Sequence, residues 1–361
     1  MAEIRENIKK MSAYNPPLEG RASAGYLLLD FNEMTIEPSQ KVKKALKEFV
    51  DSGRLQVYPE YGDLEAKIAK YAGVKPEQAM VTNGSDQGID VIVRAFVKDN
   101  DKVIIPSPSF AMYYQSSNIQ GAKILQPIYR PDLSFPLEEV LDLIEKGAKL
   151  LIIANPNNPT GTAISKKDVL KILKKAKEKD VAVLHDEAYF EFSKITAKDL
   201  INDFDNLFIT RTFSKTFGLV STRLGYVLSQ EKNIKELMKI RGPYDVNMFA
   251  KTAISAALED LDYVEKYVKE VMEKSKPKLE KFFKENKVKF WPSKANFLLV
   301  KPESQKRALE ILKSENILVR QRKETDIKGT IRVSIGTFND TARFIKAYSK
   351  VIRCGKKTLA N

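Results

Sequence analysis

The side chains that most often announce an active site are scarce in this chain. It holds one histidine, His185, and one cysteine, Cys354. A zinc site needs about four Cys, His or carboxylate ligands, and a disulfide framework needs paired cysteines. Neither is expected within one chain, and no metal site is. The residues that could do chemistry are of other kinds. Lys215 lies in Ser-Lys-Thr-Phe-Gly, just past a predicted strand ending at Arg211. A lysine amine serves as nucleophile and proton carrier where its surroundings lower its pKa, although with 47 lysines in the chain its position alone says little. Asp186 ends the apolar run VAVLHD. A carboxylate at a buried strand end is costly unless a cation or a hydrogen-bond network meets it, and a helix cap is its ordinary alternative. Gly84-Ser85-Asp86 opens a predicted helix, whose free N–H groups suit an anion or a simple N-cap.

These residues belong to an ordered set of segments: TNGSDQGID (82–90), SPSFAMYY (107–114), NPNNPTG (155–161), HDEAYFEF (185–192), RTFSKTFGLVSTRLGY (211–226), PSKANFLLV (292–300) and RVSIGTFND (332–340). The elements that must position them alternate. Strands are predicted at 78–82, 102–106, 122–128, 149–154, 181–186, 207–211 and 225–228, with helices at 38–49, 62–71, 86–97, 110–118, 136–144 and 166–177. Strands separated by helices of this length indicate βαβ units and a largely parallel sheet, in which ligands gather beyond the carboxyl ends of the strands. The first 30 or so residues read as an irregular arm ending in a short strand, 26–31. After Met248 a long charged helical stretch runs to about Asn286, followed by strands at 288–291, 296–300, 317–319 and 331–335 and helices at 304–315 and from Asn339. The expected fold class is α/β: an arm at 1–37 joining the small domain, a large domain at 38–250 and a smaller α+β domain at 251–361.

Composition bounds the function. The 361 residues carry 61 Lys and Arg against 47 Asp and Glu, a formal charge of +14. Such a balance raises nucleic-acid binding, but only 14 of the 61 cations are arginine and residues 301–361 hold 15 of them against 6 acids. That pattern reads as a solvated lysine surface, and no nucleic-acid partner is expected. No apolar run approaches the ~18 residues of a membrane span. Residues 1–11 lack the apolar stretch of a signal peptide, and with one cysteine the expected location is the cytoplasm.

NPNNPTG, the DEAYFEF of 186–192 and the SKTFGLVSTRLGY of 214–226 resemble the class I/II aminotransferases that depend on pyridoxal 5′-phosphate, of the fold-type I architecture. The resemblance runs from about Tyr14 to Lys346. LDFNE (29–33), VYPEYG (57–62) and RGPYDVN (241–247) point within that family to its histidinol-phosphate branch. It implies a role for each matching residue. Lys215 is the Schiff-base lysine, Asp186 pairs with the pyridine nitrogen, and Tyr189 and Asn158 contact the ring hydroxyl oxygen. Gly84, Ser85, Asp86, Ser214 and Arg223 surround the cofactor phosphate. Phe110 stands where an aromatic stacks on the ring; tyrosine is the residue expected there, and stacking survives its replacement. Arg332 holds the α-carboxylate of an amino acid or the phosphate of histidinol phosphate, with Arg320 and Tyr14 beside that phosphate. Tyr58 reaches the cofactor phosphate of the other subunit, which implies a homodimer.

The resemblance implies ping-pong transamination between L-histidinol phosphate and 2-oxoglutarate, giving imidazole acetol phosphate and L-glutamate, with Lys215 moving the proton. An aminotransferase of aromatic or broad preference, a threonine-phosphate-type decarboxylase and a non-catalytic protein on the same fold are the alternatives. Met34 and Asp245 depart from the asparagines expected there and bear on specificity. His185, one residue before Asp186 on a strand, should face the opposite side in a structural role, and Cys354 has no evident role.

Overall fold

The computed structural model describes residues 2–22 and 24–358, and of residues 355–358 only the backbone. Residues 1, 23 and 359–361 of the expected arm and small domain lie outside the described residues. Among the described residues twelve strands are present: β1 (Leu27–Leu29), β2 (Ala79–Thr82), β3 (Lys102–Ile104), β4 (Lys123–Leu125), β5 (Leu150–Ala154), β6 (Ala182–Asp186), β7 (Leu207–Thr212), β8 (Gly225–Leu228), β9 (Lys289–Trp291), β10 (Phe297–Lys301), β11 (Ile317–Gln321) and β12 (Ile331–Ser334).

Seven of them form one sheet in the order β2-β8-β7-β6-β5-β3-β4, and five form a second in the order β1-β11-β12-β10-β9. In the larger sheet only β8 runs against its neighbours. The carboxyl ends of β2, β5, β6 and β7 therefore emerge along one edge. The central strand runs are largely apolar because both faces are covered. Ile153, Val183 and Ile209 pack into one core, while Ile152, Leu184 and Phe208 pack into another on the opposite face.

Local chemistry explains most element ends. Ser39 accepts from the amide of Val42 and starts the helix Gln40–Asp51, a cap worth about 0.5–2 kcal/mol. β4 stops at Leu125, short of the expected 128, because Pro127 has no N–H for a ladder; pairing resumes only as an isolated bridge between Ser107 and Ile128. The expected long helix after 248 is divided into Met248–Leu258, Leu261–Lys269 and Lys276–Glu285, with a π-helical stretch at Glu270–Ser275. Pro277, which cannot donate to the turn before it, sits just beyond the wide stretch.

The arm differs from the irregular segment expected. It carries a short helix, Glu6–Lys9. Asn7 Nδ2 donates to the carbonyls of Asn118 and Ile119 at 2.8 and 3.0 Å, satisfying the end of the helix Ala111–Ile119. From there the chain crosses to β1, which pairs in parallel with β11 in the smaller sheet. A helix at Glu231–Met238, absent from the sequence reading, follows β8.

Candidate active site

Two adjoining cavities lie at the carboxyl edge of the large sheet. The inner one, of about 110 Å³, is lined by Ser85, Asp86, Phe110, Asn158, Asp186, Tyr189, Ser214, Lys215 and Arg223. The outer one, of about 1060 Å³, shares Phe110, Asn158, Tyr189 and Lys215 with it and adds Tyr14, Arg320 and Arg332. Two of the expected site residues line neither. Gly84 lies beneath the inner cavity at the helix start. Tyr58 is 74 % exposed, its ring 4.7 Å from that of Tyr244.

Asp186 is the last residue of β6 and is buried. Tyr113 Oη donates to its Oδ2 at 2.5 Å, and the Ala188 amide donates to Oδ1 at 3.0 Å. Burial pushes the carboxyl up to about 6, against the pull of these neutral donors. His185 turns to the other face, where its Nδ1 lies 3.2 Å from Glu187 Oε1 and its Nε2 3.4 Å from Asn155 Nδ2. Glu187 also accepts from Arg211 Nε at 2.9 Å and from the Ala197 amide at 2.7 Å. Burial would raise Glu187, but Arg211 and His185 overcome it and hold the group at about 2.

Lys215 follows the end of β7 and donates to the carbonyl of Phe31 at 3.0 Å. Desolvation pushes its amine down to about 8; Arg332 and Arg223 push the same way, while Glu33 and Asp86 oppose. Tyr189 is buried, accepts from Asn32 Nδ2 at 2.9 Å and packs edge-on to Phe297. Burial pushes its phenol upward.

At the other side of the inner cavity the helix Gly84–Phe96 begins after β2. Gly84 has φ +75°, and a Cβ there would meet the Arg223 guanidinium at 2.7 Å; one on Gly225 would come within 2.4 Å of the Ser85 amide nitrogen. Both glycines therefore keep this corner open to the backbone. Arg223 itself is left-handed, φ 57°, and its Nη2 lies 2.9 Å from Asp86 Oδ2. Ser214 is buried beside Thr212, whose Oγ1 accepts from the Ser214 amide at 3.1 Å. The donor set suits a phosphorylated pyridine carrying an aldehyde. Amides of a helix start, a serine and an arginine face one corner. A buried carboxylate with neutral partners suits a ring N–H⁺, and an amine of lowered pKa suits the aldehyde.

The outer cavity is cationic at its floor. Arg332, on β12, is 5 % exposed. Its Nη1 donates to Asn158 Oδ1 and its Nη2 to the carbonyl of Asp30, both at 2.6 Å, and its Nε has no hydrogen-bond partner. Burial pushes this guanidinium down to about 10. Arg320 on β11 stands over the Phe31 ring, 4.9 Å from its centre.

Sequence reasoning missed Tyr113, Asn32, Arg21 and Arg322. Tyr113 sits in SPSFAMYY three residues after Phe110, one helical turn away, a spacing that could have flagged it. Asn32 meets Tyr189 across 157 residues, and no local pattern marks such a pair. Arg322, two residues after Arg320 on the same cavity, pairs with Glu324, its Nε 3.2 Å from Oε2.

The mostly parallel sheet with its site at the strand ends, beside a smaller second sheet, is the α/β architecture of an aminotransferase. The chain matches the family Aminotransferase class I and II over residues 24–347; it belongs to that family and is an aminotransferase. It is 35 % identical over 338 residues to the histidinol-phosphate aminotransferase of Thermoanaerobacter sp. (strain X514), covering 92 % of this chain and 94 % of that one. It is also 35 % identical to the histidinol-phosphate aminotransferase of Caldicellulosiruptor saccharolyticus, covering 97 % of this chain and all of the other. Its fold is similar to that of histidinol-phosphate aminotransferase from Sinorhizobium meliloti in complex with pyridoxal-5′-phosphate, with a TM-score of 0.87, 24 % identity and 98 % of each chain covered. Among the described residues no helix is long and apolar enough to cross a membrane, and no group of acidic, Cys or His residues could hold a metal ion.

Proposed function

We propose that the protein transfers the amino group of L-histidinol phosphate to 2-oxoglutarate, giving imidazole acetol phosphate and L-glutamate in histidine biosynthesis, with pyridoxal 5′-phosphate as cofactor. The observation that carries the substrate class is Arg332: a buried guanidinium whose partners are neutral, with one N–H left unsatisfied. A buried cation without an anion is costly, so a phosphate or carboxylate completes it. Arg320 and Tyr14 line the same cavity and enlarge the site beyond what one carboxylate requires.

Pyridoxal phosphate, when bound, supplies a carbonyl carbon for the amino group and a ring that withdraws electrons from the neighbouring C–H bond. The chain's own residues do the rest. Asp186 holds the ring nitrogen protonated, and Tyr113 and the Ala188 amide fix that carboxylate's orientation. Ser85, Ser214, Arg223 and the helix start hold the cofactor phosphate, with Gly84 and Asp86 shaping that corner. Tyr189, oriented by Asn32, and Asn158 hydrogen-bond the ring hydroxyl oxygen. Phe110, which lines the inner cavity, would stack on the ring. Lys215, its amine held near 8 by desolvation, is the group that would carry the Cα proton of the donor.

The working unit we propose is a cytoplasmic homodimer. Leu55, Val57, Tyr58, Tyr244 and Phe249 are 41–74 % exposed on this chain, an apolar surface that a second copy would cover, with Tyr58 reaching the partner's cofactor phosphate. The functional domains follow the same scheme: an arm at 1–37, a cofactor-binding domain at 38–250 and a small domain at 251–361. The test is the change in bound-cofactor absorbance on mixing the holoenzyme separately with histidinol phosphate, phenylalanine, tyrosine, aspartate and glutamate. Histidinol phosphate and glutamate should each convert the cofactor. Conversion by aromatic amino acids but not by histidinol phosphate would refute the substrate.

A further inference from the structure

The segment Asp30-Phe31-Asn32-Glu33 touches Lys215, Tyr189 and Arg332 where the two cavities meet. The Phe31 carbonyl accepts from Lys215 at 3.0 Å, the Asp30 carbonyl accepts from Arg332 at 2.6 Å, and Asn32 Nδ2 donates to Tyr189 Oη at 2.9 Å. The Phe31 ring lies under Arg320 on one hand and Arg21 on the other, with ring-centre distances of 4.9 and 4.7 Å. Asn32 is left-handed, φ 56°. That conformation costs energy in a non-glycine residue and persists only where the surroundings impose it.

One side chain fixes this segment from outside. Arg21, in the arm, is 8 % exposed. Its Nη2 lies 2.5 Å from both Asp30 Oδ1 and Glu33 Oε2, its Nε is 3.1 Å from Asp30 Oδ2, and its Nη1 is 3.1 Å from Glu33 Oε1. A planar fork bridging two carboxylates three residues apart holds the intervening backbone in one shape, a task a lysine point charge cannot repeat. Opposite the arm, the same stretch is bound to the small sheet. The Asn32 amide donates to Ser334 Oγ at 2.9 Å, and Asn296 Nδ2 donates to the Asn32 carbonyl at 3.2 Å.

We infer that Arg21 is a positioning residue: by clamping Asp30 and Glu33 it sets the 30–33 backbone, and through it the placement of Lys215, Tyr189 and Arg332. The arm is thereby part of the active site's framework as well as its cover. The inference rests on the reading of Lys215 as the proton carrier. The clamp also balances charge. The charged groups facing the Lys215 amine are Arg332 and Arg223 on one side and Glu33 and Asp86 on the other. Without Arg21, Glu33 faces the amine unneutralised and favours its cationic form; without the Glu33 charge the balance tips the other way.

The test uses the holoenzyme and two variants, Arg21→Gln and Glu33→Gln, with turnover, the visible cofactor band against pH, and amide exchange over residues 26–34. Arg21→Gln should lower kcat about tenfold or more and move the pH midpoint of the band upward, by roughly half a unit. Glu33→Gln should move the midpoint downward. Opposite displacements are the signature of charge and placement at Lys215, since general loosening would move both variants alike. Midpoints that do not move, or that move in the same direction, overturn the inference. Should the unsubstituted protein show no visible band with pyridoxal phosphate, the cofactor reading fails by itself. Exchange then decides the clamp: faster exchange at 30–33 in Arg21→Gln supports it, and unchanged exchange overturns it.

Discussion

The Asp186 end of the cavity hangs on strand ends of a single sheet, while the Arg332 end is assembled from segments that lie far apart in the chain. Around Asp186 the anchors are ladder bonds: the Asn155 amide reaches the Asp186 carbonyl and the Glu187 amide reaches that of Thr210, each at 2.8 Å. Arg332 is laddered in β12 between Leu299 and Arg320, but the arm segment that closes the cavity over it is held by single side-chain contacts across long separations, such as the 302 residues between Asn32 and Ser334. A sheet end is held by all the strands beneath it, so its geometry survives changes nearby. A corner held by a few forks and amides is easier to remodel, which suits the part of a shared fold where substrates differ.

The deepest loss of activity should therefore come from the sheet end. Lys215→Ala should reduce transamination by about 10³-fold or more, the scale of a lost general base, measured as glutamate formation with circular dichroism showing the fold intact. The same end should also dominate stability. Glu187 is buried on the Arg211 guanidinium beside the turn that carries Asp186 and Tyr189. Glu187→Gln leaves Arg211 unpaired and should cost about 3–5 kcal/mol, read by denaturant unfolding. Its folded pKa, about 2, lies below the ordinary 4.5. The pair's contribution is therefore complete above pH 4.5 and is lost as the pH falls towards 2. Unfolding free energy should drop over that window in the native protein, and the drop should shrink in Glu187→Gln.

The same difference governs what could be read from the sequence. The runs KLLIIA and VAVLHD are apolar because both faces of their sheet are buried, and a polar residue ending such a run, as Asp186 does, is conspicuous; Lys215 ends no such run, and only the family resemblance of its segment marks it. A helix start such as the one Ser39 caps is legible because a cap is a local event. Arg21, Asn32 and Tyr113 carried no such mark. Each acts through a partner supplied by another element: Asp30 and Glu33 across a turn, Tyr189 from beyond β6, Asp186 at 73 residues. Periodicity reports which face a residue occupies, not which distant side chain meets it. The four-residue helix at Glu6–Lys9 escaped for a related reason: it is too short to stand alone, and its docking on the end of the helix Ala111–Ile119 holds it.

At the assembled end the effects should be smaller and should fall on binding. Arg332→Gln removes the buried cation and with it a charged hydrogen bond to the anionic group of the substrate, worth about 1.5–3 kcal/mol. That corresponds to about a 10- to 150-fold rise in KM. Both histidinol phosphate and glutamate should feel it, because either places an anion at that corner. An unchanged KM for both would mean that Arg332 only braces Asn158 and the Asp30 carbonyl, and the contrast between the two ends would lose its substrate side.

Tyr14 sharpens the same distinction at its weakest point. It lines the outer cavity from the arm, but 45 % of it stays in solvent. A hydroxyl so placed competes with water for its partner, so its bond to a phosphate should contribute about 1 kcal/mol, roughly a fivefold effect on KM. Tyr14→Phe keeps the ring that packs in the arm and removes only the hydroxyl. If the hydroxyl meets the phosphate, KM for histidinol phosphate rises while KM for glutamate, which has none, stays put. Equal shifts for both donors would show that the tyrosine acts by shaping the arm, and the selectivity for a phosphate ester would then fall to Arg320.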